Sequence, residues 1–94
     1  METKENAIFS IPEEVLFQNV GDETVLLDMA SEQYFGLDEV GARIWMLLSE
    51  EKAAGQILED LLDEYEVERA DLEKDLSELL ERLLEAGLIR RANP

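Results

Sequence analysis

Hydrophobic positions along the chain change period once, near residue 38. Between residues 7 and 37 they fall in short clusters broken by turn residues. Ala7-Ile8-Phe9-Ser10-Ile11 is a brief apolar run stopped by Pro12. Val15–Val20 carries β-branched and aromatic residues at the density of a strand. Gly21-Asp22 punctuates it, and Thr24–Met29 follows with Val25, Leu27 and Met29 on one face. Two such runs separated by Gly-Asp predict a hairpin. Ala30-Ser31-Glu32 predicts a second turn, and Gln33–Leu37 a third, shorter strand. Alternation puts Tyr34 and Gly36 on one side of that strand and Phe35 and Leu37 on the other. The pattern alone leaves open which pair faces the rest of the fold.

From Asp38 onward the period is helical. Asp38 is placed to cap the first helix by accepting from free backbone N–H groups. Val40, Ile44, Leu47 and Leu48 form its apolar stripe, with Trp45 beside it. A second helix is predicted from about Ala53 to Tyr65, with Ile57, Leu58, Leu61, Leu62 and Tyr65 on its buried side. Glu66-Val67-Glu68 is a short connection to a third helix, from near Arg69 to about Ala86. Gly87 suits the position after a helix where φ is positive. Leu88 and Ile89 then fold back onto the core, and Arg90 and Arg91 return to solvent.

Leucines in the third helix, at positions 72, 76, 79, 80, 83 and 84, span roughly 140° of its surface, against the ~100° or wider stripe of a helix packed on a core. Either the helix is deeply buried, or one flank of the stripe lines an exposed groove. Strands segregated from helices predict an α+β fold: a three-stranded antiparallel meander followed by three helices, the parts of a winged helix–turn–helix. The 94 residues allow one small domain. We place it at residues 7–91, with residues 1–6 and 92–94 as flexible termini.

Composition narrows the chemistry. The chain has no cysteine and no histidine, which removes thiol and imidazole catalysis and Cys/His metal sites. Ser10, Ser31, Ser49 and Ser77 therefore lack their usual activating base. No calcium loop or glycine-rich phosphate loop occurs. We expect no catalytic residue, no metal site and no cofactor. No apolar run approaches the ~20 residues of a membrane helix, and Met1-Glu2-Thr3-Lys4-Glu5 lacks a signal-peptide profile. The expected location is the cytoplasm, away from membranes.

Charge narrows the partners. The net charge is −16, from 24 acidic and 8 basic residues. It is spread along the chain, and such a field repels phosphate backbones and anionic membranes. The third helix offers Arg69, Lys74 and Arg82 against Asp71, Glu73, Asp75, Glu78, Glu81 and Glu85. That is the wrong sign for a recognition helix, so no nucleic-acid partner is expected. A basic peptide or protein surface would be favoured; otherwise the charge serves only solubility. An acyl or peptidyl carrier protein is also small and acidic, but Ser31 lies in a predicted turn before a strand, and the first third of the chain is too rich in strands.

Several runs have a familiar order. Val25-Leu26-Leu27-Asp28 is followed by Tyr34-Phe35-Gly36-Leu37-Asp38, then by Gly41-Ala42-Arg43-Ile44-Trp45-Met46-Leu47-Leu48. Gln56-Ile57-Leu58-Glu59-Asp60-Leu61, Lys74-Asp75-Leu76-Ser77-Glu78-Leu79-Leu80 and Leu83-Leu84-Glu85-Ala86-Gly87-Leu88-Ile89 come after. Over about residues 12–91 this set resembles the PqqD-like family, most of all its small stand-alone members in lasso-peptide biosynthesis. One departure is Glu50-Glu51-Lys52-Ala53, where the family often has Ser or Thr at the start of the second helix.

The resemblance implies a recognition element for ribosomally synthesised, post-translationally modified peptides (RiPPs). It implies a non-catalytic peptide chaperone that binds the leader segment of a precursor peptide. The leader would add as a strand to the edge formed by Gln33, Tyr34, Phe35, Gly36 and Leu37. Leu72, Leu76, Leu79 and Leu83 would form the apolar wall of the groove, with Asp75 and Arg82 as polar clamps. The implied further partners are modifying enzymes: a leader peptidase and a macrolactam synthetase (cyclase) in a lasso pathway, or a radical-SAM enzyme in the quinone-cofactor pathway. An adapter that binds only a partner enzyme is the alternative. A free edge strand suits peptide addition physically, because its unpaired backbone groups supply affinity and side-chain pockets supply specificity.

Overall fold

Two turns shape the meander. The structure, a computed structural model, describes residues 7–21 and 23–92; the expected flexible segment 1–6, Asp22 and residues 93–94 lie outside it. Gly21 takes φ +64°, a conformation that costs glycine little. It joins β2 (Val15–Val20) to β3 (Glu23–Asp28), with Val20 opposite Glu23. The second turn is organised by Asp28. Its carboxylate accepts from the Ala30 N–H at 3.0 Å and the Ser31 hydroxyl at 2.9 Å, and its carbonyl accepts from the Glu32 N–H at 2.7 Å. β4 (Gln33–Leu37), the third strand of the sequence reading, follows and pairs antiparallel with β3. The sheet order is β2-β3-β4, so β2 and β4 are its edges.

Register fixes the two faces of the sheet. Leu26 partners Phe17 on β2 and Phe35 on β4, and is fully buried. Phe35 and Leu37 pack on the core, whereas Tyr34 is 70% exposed. The inner pair on β4 is therefore Phe35 and Leu37. Val25 and Leu27, which share a face with Tyr34, lie on the side away from the helices, because the helices close over Leu26.

Asp38 caps α1 (Glu39–Ser49) as expected, accepting from the Gly41 N–H at 2.7 Å. Gly41 itself is buried in a tight place, where a Cβ would stand 3.1 Å from that carboxylate oxygen and 3.3 Å from Leu37. α2 (Ala54–Glu64) begins at Ala53 with no side-chain cap. The N-terminal segment substitutes for it: the Ala54 N–H donates to the Ala7 carbonyl at 2.9 Å. α3 (Arg69–Glu85) ends in a Schellman motif. Gly87, at φ +76°, donates to the Leu84 carbonyl, and Leu88 donates to that of Leu83.

Leu88 and Ile89 turn back into the core. Arg90 and Arg91 are exposed, as expected, and also form β5 (Arg90–Arg91), antiparallel to β1 (Phe9–Ser10). The Ala92 N–H extends this pairing to the Ile8 carbonyl, and the Arg91 guanidinium stands 5.9 Å from the Phe9 ring centre. This two-stranded clasp joins the two ends of the described chain, and Phe9, Leu88 and Ile89 are all buried within one cluster with residues of the three helices. The whole is the expected α+β, winged helix–turn–helix-like fold, with the clasp added.

Candidate functional site

A cleft of about 490 Å³ opens between β4, the start of α1, and α3. Its floor is apolar because three elements each turn one side chain toward it: Leu37 from β4, Ile44 from α1 and Leu72 from α3. Phe35 and Leu79 flank that floor. Tyr65 and Val67, from the connection between α2 and α3, close the end nearest the start of α3. Val67 is 48% exposed, so this end presents apolar surface to solvent.

The leucine stripe of α3 divides between two tasks. A helix turns about 100° per residue, so Leu72 and Leu79 lie almost in line, about 20° apart, while Leu76, Leu80 and Leu83 are displaced to one side. Leu72 and Leu79 line the cleft. Leu76, 3% exposed, and Leu83, fully buried, lie in the core and not in the cleft wall. Of the expected strand residues, Phe35, Gly36 and Leu37 line the cleft, whereas Gln33 and Tyr34 do not. Gly36 has open space where a Cβ would stand, so nothing in the chain itself occupies the approach to this stretch of β4. β4 has no strand on its outer edge among the described residues.

Asp75 and Arg82, the expected polar clamps, both line the cleft. Arg82 is already engaged, with its guanidinium 5.2 Å from the Phe35 ring centre; this cation–π contact ties α3 to β4. The polar flank of the same helix supplies more of the lining than these two residues. Glu68, Asp71, Asp75, Glu78 and Arg82 recur every three or four residues and all face the cleft, with Asp38 on the opposite side. That spacing was present in the sequence and could have located the rim. Val40, Gly41 and Ile44 join the lining because α1 starts directly after β4; the change of period near residue 38 locates that junction, but not which α1 side chains turn toward the strand.

Ion pairs brace the helices elsewhere. Arg43 of α1 donates to both carboxylate oxygens of Glu64 on α2, at 2.8 and 2.7 Å. Lys52 and Gln56 donate to Asp60 at 2.6 and 2.8 Å, and Arg69 of α3 donates to Glu59 of α2 at 2.7 Å. The hydrogen bond from Arg43 holds the Glu64 carboxyl below its ordinary range, and that from Lys52, then that from Gln56, do the same for Asp60. A carboxyl with a depressed folded-state pKa stabilises the fold fully above its unfolded value, and the effect is lost as pH falls through the folded value. The stability difference between wild type and Arg43→Gln should thus be largest at neutral pH and smaller at an acid pH where Glu64 is protonated. Urea unfolding at the two pH values checks this; an undiminished difference in acid would contradict it.

Three comparisons bear on the cleft. The sequence profile of a family described as "Coenzyme PQQ synthesis protein D (PqqD)" matches residues 23–89. A solved structure described as "TbiB1 in Complex with the TbiA(beta) Leader Peptide" is 40% identical, with a TM-score of 0.78, and the match covers 86% of this chain and 94% of that one. Another, "Lasso peptide synthetase B1 complexed with the leader peptide", is 32% identical with a TM-score of 0.79, covering 87% and 96%. Comparison with curated proteins gave no match. The family profile spans β3 to Ile89, and so contains both walls of the cleft.

Proposed function

The chain belongs to the PqqD family, and from that premise we propose that it is a non-catalytic recognition domain for the leader segment of a ribosomally made precursor peptide. The observation that carries this reading is the unpaired edge of β4 running beside an apolar cleft. An extended leader adds to β4 as a fourth strand. Its backbone pairs with the free N–H and C=O groups, and alternate side chains enter the cleft over Leu37, Leu72 and Leu79. Both structural relatives were captured with a leader peptide, which supports the reading. The description of the second as a lasso peptide synthetase B1 favours a lasso pathway over a quinone-cofactor pathway as the setting. Bound in this way, the leader leaves the rest of the precursor free for a separate leader peptidase and macrolactam synthetase.

Titration calorimetry tests the reading, using the synthetic leader of a precursor encoded beside this chain. We expect saturable one-to-one binding, micromolar or tighter, with slowed amide exchange confined to β4 and its neighbours. A folded, monodisperse protein that binds no leader would instead favour an adapter for a partner enzyme. Protection along β2, the other edge, would move the site.

A further inference from the structure

The groove is asymmetric in charge, and this restricts which peptides it can take. Its α3 lip presents Glu68, Asp71, Asp75 and Glu78 in succession, and Arg82 follows at the far end. From Glu68 to Glu78 the helix rises about 15 Å, the length of four or five residues of extended peptide at about 3.3 Å each. The lip therefore runs alongside most of a docked strand.

These four carboxylates differ from three of those on α2. Glu59, Asp60 and Glu64 are each matched by Arg69, Lys52 or Arg43. No ion pair reaches Glu68, Asp71, Asp75 or Glu78 among the described residues. Among the described residues Arg82 is the one cation of the lining, and it is set on Phe35. A peptide covering the apolar floor displaces water from beside this row. Like charge on the peptide would then be repelled in a lowered dielectric, and a cation would gain a partner.

Building on the leader-binding reading, we propose that the groove selects extended leader segments whose apolar anchors are bordered by Lys or Arg toward the Tyr65–Glu68 end. The segment's other end, near Phe35 and Arg82, is uncharged or acidic. Apolar anchors supply the affinity, and the charge row sets register and direction along α3.

The test is selection from a display library of random peptides of about twelve residues against the full chain. The selected pool should carry an excess of Lys and Arg beside apolar residues, and its affinity should fall as salt rises. The triple variant Asp71→Lys, Asp75→Lys, Glu78→Lys should bind these peptides at least about tenfold more weakly, and should select acidic ones instead. All three positions are exposed, so the fold should tolerate the change. A matched variant, Glu13→Lys, Glu14→Lys, Glu23→Lys, alters net charge equally at positions outside the cleft and should keep the wild-type preference. Loss of preference in that control would assign it to overall charge and overturn the proposal. So would a pool that binds in the groove, as judged by loss of binding in Leu79→Gln, yet shows no basic excess. A pool unaffected by Leu79→Gln would overturn the groove reading itself, and this proposal with it.

Discussion

Leu76→Gln removes a large part of the domain's stability, although Leu76 sits next to Asp75 and three residues from Leu79, both of which line the cleft. Leu76 is 3% exposed and belongs to the same buried cluster as Leu26, Ile57, Leu61 and Leu83. Losing a buried leucine side chain and burying an amide without partners costs roughly 3–6 kcal/mol together. A domain of this size holds only about 5–14 kcal/mol in total. The thermal midpoint should fall by roughly 15 °C or more. Trp45, buried in the same cluster, is the only tryptophan of the chain and reports the loss directly through near-ultraviolet circular dichroism and fluorescence. A variant that melts within a few degrees of wild type would place Leu76 at the surface and contradict the packing described above.

That outcome matters because the sequence does not distinguish Leu76 from Leu79. Both belong to one stripe, and a helical wheel orders the leucines by angle without saying where the neighbouring elements stand. The division falls where β4 and α1 end and α2 begins to cover α3, which is a tertiary fact. The same limit applies to β4. Tyr34 alternates with Phe35 and Leu37, all three apolar enough for either side, and only the docking of the helices over Leu26 turns Tyr34 outward. By contrast, features fixed by local chemistry were legible from residues alone. The capping carboxylate of Asp38, the turn glycine at 21, and the Gly87 that ends α3 each act within a few residues of their own position.

The clasp of β1 and β5 shows what lies beyond local reading. Each strand has two residues, too few for any period to register, and their pairing spans almost the full length of the chain. Its consequence reaches the site. With Leu88 and Ile89 held under the clasp, the end of α3 is fixed on the core, and Arg82, one turn earlier, is held over Phe35. The α3 wall of the cleft is thereby tied to the β4 wall by the Arg82–Phe35 contact, and to the core by Leu88 and Ile89 just past the helix end. The acidic rim is free of such structural duty, and for that reason its charge is available to a ligand.

Leu79→Gln should keep the fold and lose the peptide. Leu79 is half-buried, packs against the edge of the core and lines the cleft, so a neutral amide there can reach water and costs little stability. A peptide side chain seated on Leu79 would lose its apolar contact and leave the amide facing apolar surface. Loss of roughly 1.5–3 kcal/mol of burial corresponds to about ten- to hundredfold weaker binding of the leader. Glutamine adds no charge, so the effect is separable from the electrostatic one: the salt dependence of the residual affinity should match that of wild type. Circular dichroism and calorimetry on the same sample decide the matter. If Leu79→Gln melts as wild type does and still binds the leader with unchanged affinity, the peptide lies elsewhere, and the open edge of β2 becomes the place to look. If it binds weakly but also melts early, Leu79 belongs to the core with Leu76, and the floor of the groove is Leu37, Ile44 and Leu72 alone.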